Sequence, residues 1–246
     1  MNMLFLNISS QNKWHFIWLF ILAFFPVPCF SQLQLAKIFS DNMVLQRNEP
    51  VNIWGKAKPG DTVIVVFAND RKSTVVQHDS GWTLTFKAQQ ASIYPQSALI
   101  RTREEKIEIS NILMGDLWLC IGQSNMEWPM FKEKHFKEEM NYSNQPLLRL
   151  YNPVYAGKNT FNVLFSDSIA RRLTAEKFYS GHWQTCDSSS FKTMSAVAYY
   201  FGKEILNETG IPVGLINFSI GGAPLETFIG TDVLGSNKQF SYKVHG

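Results

Sequence analysis

The segment Gly122-Gln123-Ser124-Asn125-Met126 follows directly on the apolar run Leu117-Trp118-Leu119-Cys120-Ile121. A serine at a glycine-marked break after a buried strand sits where α/β enzymes carry nucleophiles, because the carboxyl ends of parallel strands open onto the ligand crevice. A serine hydroxyl attacks only after a base takes its proton. Ester cleavage also needs N–H donors where the oxyanion develops, each worth about 3–4 kcal/mol where one has been removed. The N–H of Ser124 is expected to face the same crevice as its hydroxyl. The Gly221-Gly222 turn after a later apolar strand offers a second N–H, since glycine lets backbone approach a ligand closely. The pattern is not the Gly-x-Ser-x-Gly elbow of α/β-hydrolases, because Met126 fills the last position. On spacing alone two readings stand: Ser124 as nucleophile, and Ser124 as a cap of the segment that follows.

The base is harder to find. The five histidines are His15, His78, His135, His182 and His245, and of these His182 and His245 are the weak candidates. Glu127 and Glu226 lie near the expected crevice, yet nothing in the sequence singles out either as acid or base. Trp128 fits equally a sugar-pocket wall or a core position. No Cys/His cluster has metal-ligand spacing, and neither a metal nor another cofactor is expected.

The elements that must position these residues fall into two halves. Met43–Gln46, Val51–Trp54, Thr62–Phe67, Trp82–Phe86 and Ile107–Ile109 read as short strands. The turn residues Lys58-Pro59-Gly60-Asp61, Ala68-Asn69-Asp70 and Asp79-Ser80-Gly81 separate them. Residues 32–113 are therefore expected to form a small antiparallel β-sandwich, with Trp54 and Trp82 in its core. Beyond it, 116–121 reads as a strand covered on both faces. Residues 131–140 read as a solvated charged face, and Leu147–Tyr151 as a further strand. Ser195 is expected to cap a helix over 195–207, with Val197, Phe201 and Ile205 on one stripe and Gly210 as its stop. Val213–Phe218 is the strand after it. Strands alternating with helices imply a parallel, helix-covered sheet over 114–246.

Gly115 to Pro129 (Gly-Asp-Leu-Trp-Leu-Cys-Ile-Gly-Gln-Ser-Asn-Met-Glu-Trp-Pro) closely resembles the first signature block of the sialate O-acetylesterase family, within the wider SGNH (GDSL-like) hydrolases. The resemblance continues through Ser195–Gly202, Gly210–Asn217 and Gly221–Glu226, and in the first half through Phe39–Arg47 and Trp54–Gly60. It implies an α/β fold: a small N-terminal antiparallel β-sandwich, then an SGNH-type three-layer α/β/α domain with a parallel sheet. It also implies an esterase acting on O-acetylated sialic acids or related glycans. Ser124 matches the family nucleophile; its N–H and that of a glycine of the Gly221-Gly222 pair, with Gly222 favoured, match the oxyanion hole. The family's catalytic histidine follows an aspartate by three residues. Here Asn12, Val75, Lys132, Tyr179 and Tyr242 precede the five histidines at that spacing. Ile220, Ala223 and Phe228 also depart from the family's usual residues. We therefore expect the N-terminal portion of an esterase, with its SGNH-type domain incomplete at the C-terminal side.

The bulk numbers leave room for this. The 246 residues are 45% hydrophobic and 17% charged, with a net charge of +3. No basic run suggests nucleic acid as a partner; an O-acetylated glycan substrate is expected instead. Lys13, the apolar stretch Phe16–Phe25 and the small-residue pattern at Cys29-Phe30-Ser31 describe a secretory signal peptide over 1–31. That points to a secreted or periplasmic protein with no stable membrane span after cleavage. Export would permit a disulfide between Cys120 and Cys186, although their pairing is not legible. Two other readings stay open: a non-catalytic glycan-binding protein working through its β half, and an inactive remnant.

Overall fold

The computed structural model describes residues 32–158, 160, 163–174, 176–240 and 242. The expected signal peptide lies outside these residues. Among them no helix is long and apolar enough to cross a membrane.

The chain is a mixed α/β fold with few helices, in which thirteen strands among the described residues form two smaller sheets and one large mixed sheet. The first half contains β1 (Gln34–Leu35), β2 (Val44–Gln46), β3 (Val51–Lys56), β4 (Thr62–Phe67), β5 (Asp70–Val75), β6 (Gly81–Phe86) and β7 (Ser92–Arg101). β8 (Lys106–Gly122) passes from that half into the second. The second half adds β9 (Gln145–Tyr151), β10 (Val154–Tyr155), β11 (Tyr179–Ser180), β12 (Trp183–Cys186) and β13 (Val213–Ser219). One sheet orders β1-β3-β6, a ribbon pairs β10 with β11, and the large sheet runs β12-β9-β13-β8-β7-β4-β5. β13 is parallel to both β8 and β9, whereas β8-β7-β4-β5 is antiparallel throughout.

Local chemistry explains much of this. β4 and β5 are joined by a tight turn in which Ala68 and Asn69 take positive φ (53° and 60°), the left-handed pair a two-residue hairpin needs. β5 alternates Lys, Ser, Thr and Val around a polar pattern. Its edge position explains why its residues carry so little hydrophobic signal. In β3 the period-two alternation buries Val51 and Ile53 and turns Trp54 outward. Trp54 is 42% exposed and packs edge-on against Phe39 at 4.6 Å, contrary to the expected core position; Trp82 is buried as expected.

Two cores hold the fold. One fills the first half and continues under Tyr151 and Trp183, with Leu117, Ile216 and Phe218 packed against it. The other lies between the parallel strands and the helices, around Cys120, Leu148, Leu150, Phe191, Tyr199, Val213 and Leu215. Burying a side chain such as Leu150 contributes roughly 2 kcal/mol.

The main helix spans Ala196–Thr209. Ser195 caps it, accepting the Ala198 N–H at 3.2 Å, and Gly210 ends it in the left-handed conformation at φ 65°. Its buried face is Ala196, Ala198, Tyr199 and Gly202, not the expected Val197–Phe201–Ile205 stripe. The reason is steric. A Cβ on Gly202 would lie 2.7 Å from Leu215 Cδ1, so the helix sits against β13 along its smallest residues. Val197 and Phe201 face outward, Phe201 against Trp118 at 4.8 Å.

The strand predicted over 116–121 is correct in place but not in environment. Trp118, Leu119 and Ile121 are exposed. The Asp116 N–H donates to Pro212 O and the Ile220 N–H to Gly122 O, which directs the even-numbered groups of this segment toward β13. The odd-numbered groups face an edge on which no strand lies among the described residues, and there Gln46 Oε1 takes the Leu117 N–H at 2.9 Å.

Candidate active site

β8 ends at Gly122, whose φ of +146° suits glycine and starts the turn. A Cβ there would come within 3.1 Å of Met126 Cβ. Ser124 opens a single helical turn, Ser124–Glu127, capped by Gln123. β13, in parallel register with β8, ends alongside at Ser219, and the Gly221-Gly222 turn follows. The parallel pairing is what brings the two turns together. Their carboxyl ends share a cleft of about 500 Å³ lined by residues from both turns, Ser124, Glu127, Trp128, Gly221 and Gly222 among them. Phe131, Lys132, Lys158, Thr193 and Asn217 complete its walls.

The two glycines do different things. The Gly221 N–H donates to Glu127 Oε2 at 2.7 Å. A Cβ on Gly221 would lie 2.3 Å from that oxygen, so only glycine admits the carboxylate. Gly222 takes φ +78°, and a Cβ there would meet open space. Among the described residues no acceptor meets its N–H.

Among the described residues no base is bonded to Ser124. Its hydroxyl donates to Gln123 Oε1 at 2.6 Å, and its N–H donates to the same oxygen at 3.0 Å. No described histidine lines the cleft. His135 sits at the start of a short helix, bonded to Glu138 at 2.8 Å, and His78 and His182 lie exposed in turns. His15 and His245 are outside the described residues.

Among the described residues lining the cleft Glu127 is the one carboxylate, and Glu226 is not on its wall. Besides the Gly221 N–H, Glu127 accepts the Tyr155 hydroxyl and lies 4.0 Å from Lys158 Nζ. Burial, then the bond to Glu127, pushes the Tyr155 hydroxyl pKa well above its ordinary value. Behind the cleft, Asn217 Oδ1 accepts from the Ser219 N–H and hydroxyl. Its amide donates to Asn152, which in turn donates to Thr193.

The segment after the helical turn forms the outer wall. Met130 is fully buried, and its N–H donates to Met194 O at 2.9 Å, while the Ala196 N–H donates to Trp128 O at 2.8 Å. This pairing stands Trp128 and Phe131 into the open, with Lys132 Nζ 5.3 Å and 5.7 Å from their ring centres. Trp128 is 49% exposed and belongs to the wall, not the core. The stretch 131–140 is therefore more than a solvated face: its first two residues turn into the cleft because Met130 anchors the chain behind them.

Sequence reasoning placed Ser124, Gly221 and Gly222 together in advance. Lys158 and Asn217, which reach the cleft from distant segments, and Tyr155, which bonds Glu127, carry no local signal in the sequence. Glu127, three residues from Ser124 on the same turn, was visible but without a role. Cys120 and Cys186 are both buried and free, with their thiols pushed up by burial to about 11 and about 12. No group of three or more His, Cys, Asp or Glu among the described residues is placed to hold a metal ion.

The sialate O-acetylesterases of Homo sapiens and Pongo abelii are each 28% identical to the chain over 211 residues. The alignment covers 79% of this chain and 38% of theirs. A crystal structure of a carbohydrate acetylesterase from Xanthomonas citri superposes with a TM-score of 0.69 at 26% identity, over 83% of this chain and 44% of that one. The chain is similar to members of the sialate O-acetylesterase family. It matches the N-terminal portion of that family and spans 38% of the length of these curated relatives. No protein-family model matches it. The fold shared with that acetylesterase extends across both halves of this chain, since 83% coverage must include them.

Proposed function

We propose that the chain carries the nucleophile and oxyanion donors of a serine ester hydrolase acting on O-acetylated sugars. The observation that carries this reading is the shared cleft: Ser124 on the turn after β8 and an unengaged Gly222 N–H on the turn after β13. The relatives' names supply the acyl group and the sugar. Ser124 Oγ attacks the acetyl carbon and its proton leaves to a base. The carbonyl oxygen becomes an oxyanion between the Ser124 and Gly222 N–H groups, and the sugar oxygen departs with a proton. Trp128 and Phe131 offer apolar faces to a sugar ring, and Lys132 and Lys158 offer cations to an anionic one. The described cleft holds no histidine. Loss of a triad's base leaves only the acceleration due to binding and the oxyanion hole, about 10³–10⁴-fold over water. Slow turnover is the expectation for these residues by themselves. Export through the N-terminal leader belongs to the same proposal, supported by the pattern from Lys13 to Ser31.

The test is hydrolysis of an aryl acetate by the purified chain beside Ser124→Ala, with mass spectrometry for acetyl on Ser124. A weak rate that falls to the buffer value in Ser124→Ala is the expected result. Equal rates in the two proteins would end the claim of serine catalysis.

A further inference from the structure

We propose that Glu127 is the latch that sets the oxyanion donors, a positioning residue that ties the turn after β13 to the turn carrying the nucleophile. The inference rests on the serine esterase reading above.

Ser124 and Gly222 are 98 positions apart by their numbers, on loops that the sheet delivers to one edge but does not itself fix. Beyond Ser219 the pairing of β13 with β8 stops. After it, the Ile220 N–H to Gly122 O is the last backbone bond joining the two loops. The next bond across the gap is the one from the Gly221 N–H to Glu127 Oε2. Glu127 is three residues after Ser124 on the same helical turn, so its carboxylate is held at fixed distance from the nucleophile. Gly221 then fixes the start of the left-handed turn at Gly222.

The carboxylate would be a poor neighbour for a developing oxyanion if its charge were free. It is not free, because both oxygens accept hydrogen bonds and Lys158 stands 4.0 Å away. Tyr155 has a second acceptor at hand in Ser219 O at 3.5 Å. A glutamine at 127 can therefore keep the latch, with its carbonyl oxygen on the Gly221 N–H and its amide donating to the Tyr155 oxygen. Alanine cannot. The Gly221 requirement follows from the same geometry, since the carboxylate occupies the space of a Cβ.

The experiment compares the full chain with Glu127→Ala, Glu127→Gln and Ser124→Ala. A fluorophosphonate is the probe, because its phosphoryl oxygen occupies the oxyanion site as Ser124 attacks phosphorus and fluoride leaves. Amide hydrogen exchange at Gly221 and Gly222 is the second readout. Removing one oxyanion donor outright lowers rates about 10²–10³-fold, and misplacing one lowers them less. Glu127→Ala should slow labelling at least tenfold at unchanged melting temperature and speed Gly221 exchange at least tenfold. Glu127→Gln should restore both to within about threefold. Labelling and exchange unaltered in Glu127→Ala would overturn the latch while leaving the nucleophile in place. Loss in both variants alike would also overturn it, since shape and not charge is what the latch needs. If the parent chain takes no label at Ser124, the esterase reading fails, and Gly221 exchange alone decides whether the two turns are tied.

Discussion

Residues 106–115 of β8 are bordered by β7 along their length and by β2 with the chain leading into it, whereas among the described residues only β13 pairs with 116–122. In the first segment Ile109, Ile112, Leu113 and Met114 are all buried. In the second, Leu119 is 61% exposed, and Trp118 and Ile121 are exposed beside it. One continuous strand thus serves as a saturated scaffold at one end and as a one-sided carrier of the site at the other. Ser124, the proposed nucleophile, lies past the under-paired end. Sites placed on the margin of a rigid element gain their geometry from it while their own turns remain adjustable.

Gly115 is where the two regimes meet. It is the last residue of β8 paired with β2, and its carbonyl accepts the Arg47 N–H at 2.8 Å. A Cβ there would lie 1.9 Å from Pro212 O and 2.7 Å from Pro212 C, and backbone cannot yield as a side chain can. Gly115→Ala should therefore destabilise by about 3 kcal/mol or prevent folding, through overpacking at the point where β13 joins. Chemical denaturation measures this. A loss under about 1 kcal/mol would show that β13 can slide away from β8, and the junction would lose its special status.

The next contrast compares truncations within one strand. Ile112→Ala removes a fully buried side chain and should lower stability by about 2–4 kcal/mol. Leu119→Ala, only seven residues on, should change it by no more than about 0.5 kcal/mol. Similar losses at both positions would mean that the open edge is covered in solution, and concentration-dependent sedimentation of the parent chain would then be the measurement to make. Such edges are ready templates for pairing with another strand.

Much of this organisation is legible from the sequence, for identifiable reasons. Thr62–Phe67 reads correctly to the residue because its alternation and flanking turns agree. The Ser195 cap and Gly210 stop are read correctly because both are local chemistry. What fails is anything set by a neighbour. The two strands expected at 107–109 and 116–121 are one: Asn111 takes φ 56° beside a register shift with β7, yet the strand runs on because its partners on either side continue the pairing. The run at 116–121 looks buried because composition records hydrophobicity, and a missing neighbour leaves no trace in composition. In the helix, Val197 and Phe201 suggested the inner face. The actual inner face uses Gly202, whose value is the absence of a side chain against Leu215. At the site, Ser124 and the two glycines are visible as turn residues. The bond of Gly221 to Glu127, which leaves Gly222 open to the cleft, is not legible, because it spans 94 positions.

Gln123 offers the smallest and most local test of the difference between the two ends of β8. Its side-chain oxygen accepts both the Ser124 N–H and the Ser124 hydroxyl, at 3.0 Å and 2.6 Å. In the proposed esterase that oxygen holds the donor that an ester carbonyl needs, so a substrate would have to displace it. A turn fixed from both sides would not leave its donor available to a neighbouring side chain; this one, at the one-sided end, does. Net hydrogen bonds of this kind are worth about 1 kcal/mol, which corresponds to about fivefold in rate. Gln123→Ala should thus raise the rate of fluorophosphonate labelling at Ser124 by up to about fivefold, with little change in denaturation midpoint. A fall in labelling would mean that Gln123 holds the turn in its reactive shape instead of competing for it. The rigidity of the site would then come from its own side chains as well as from the strand beneath.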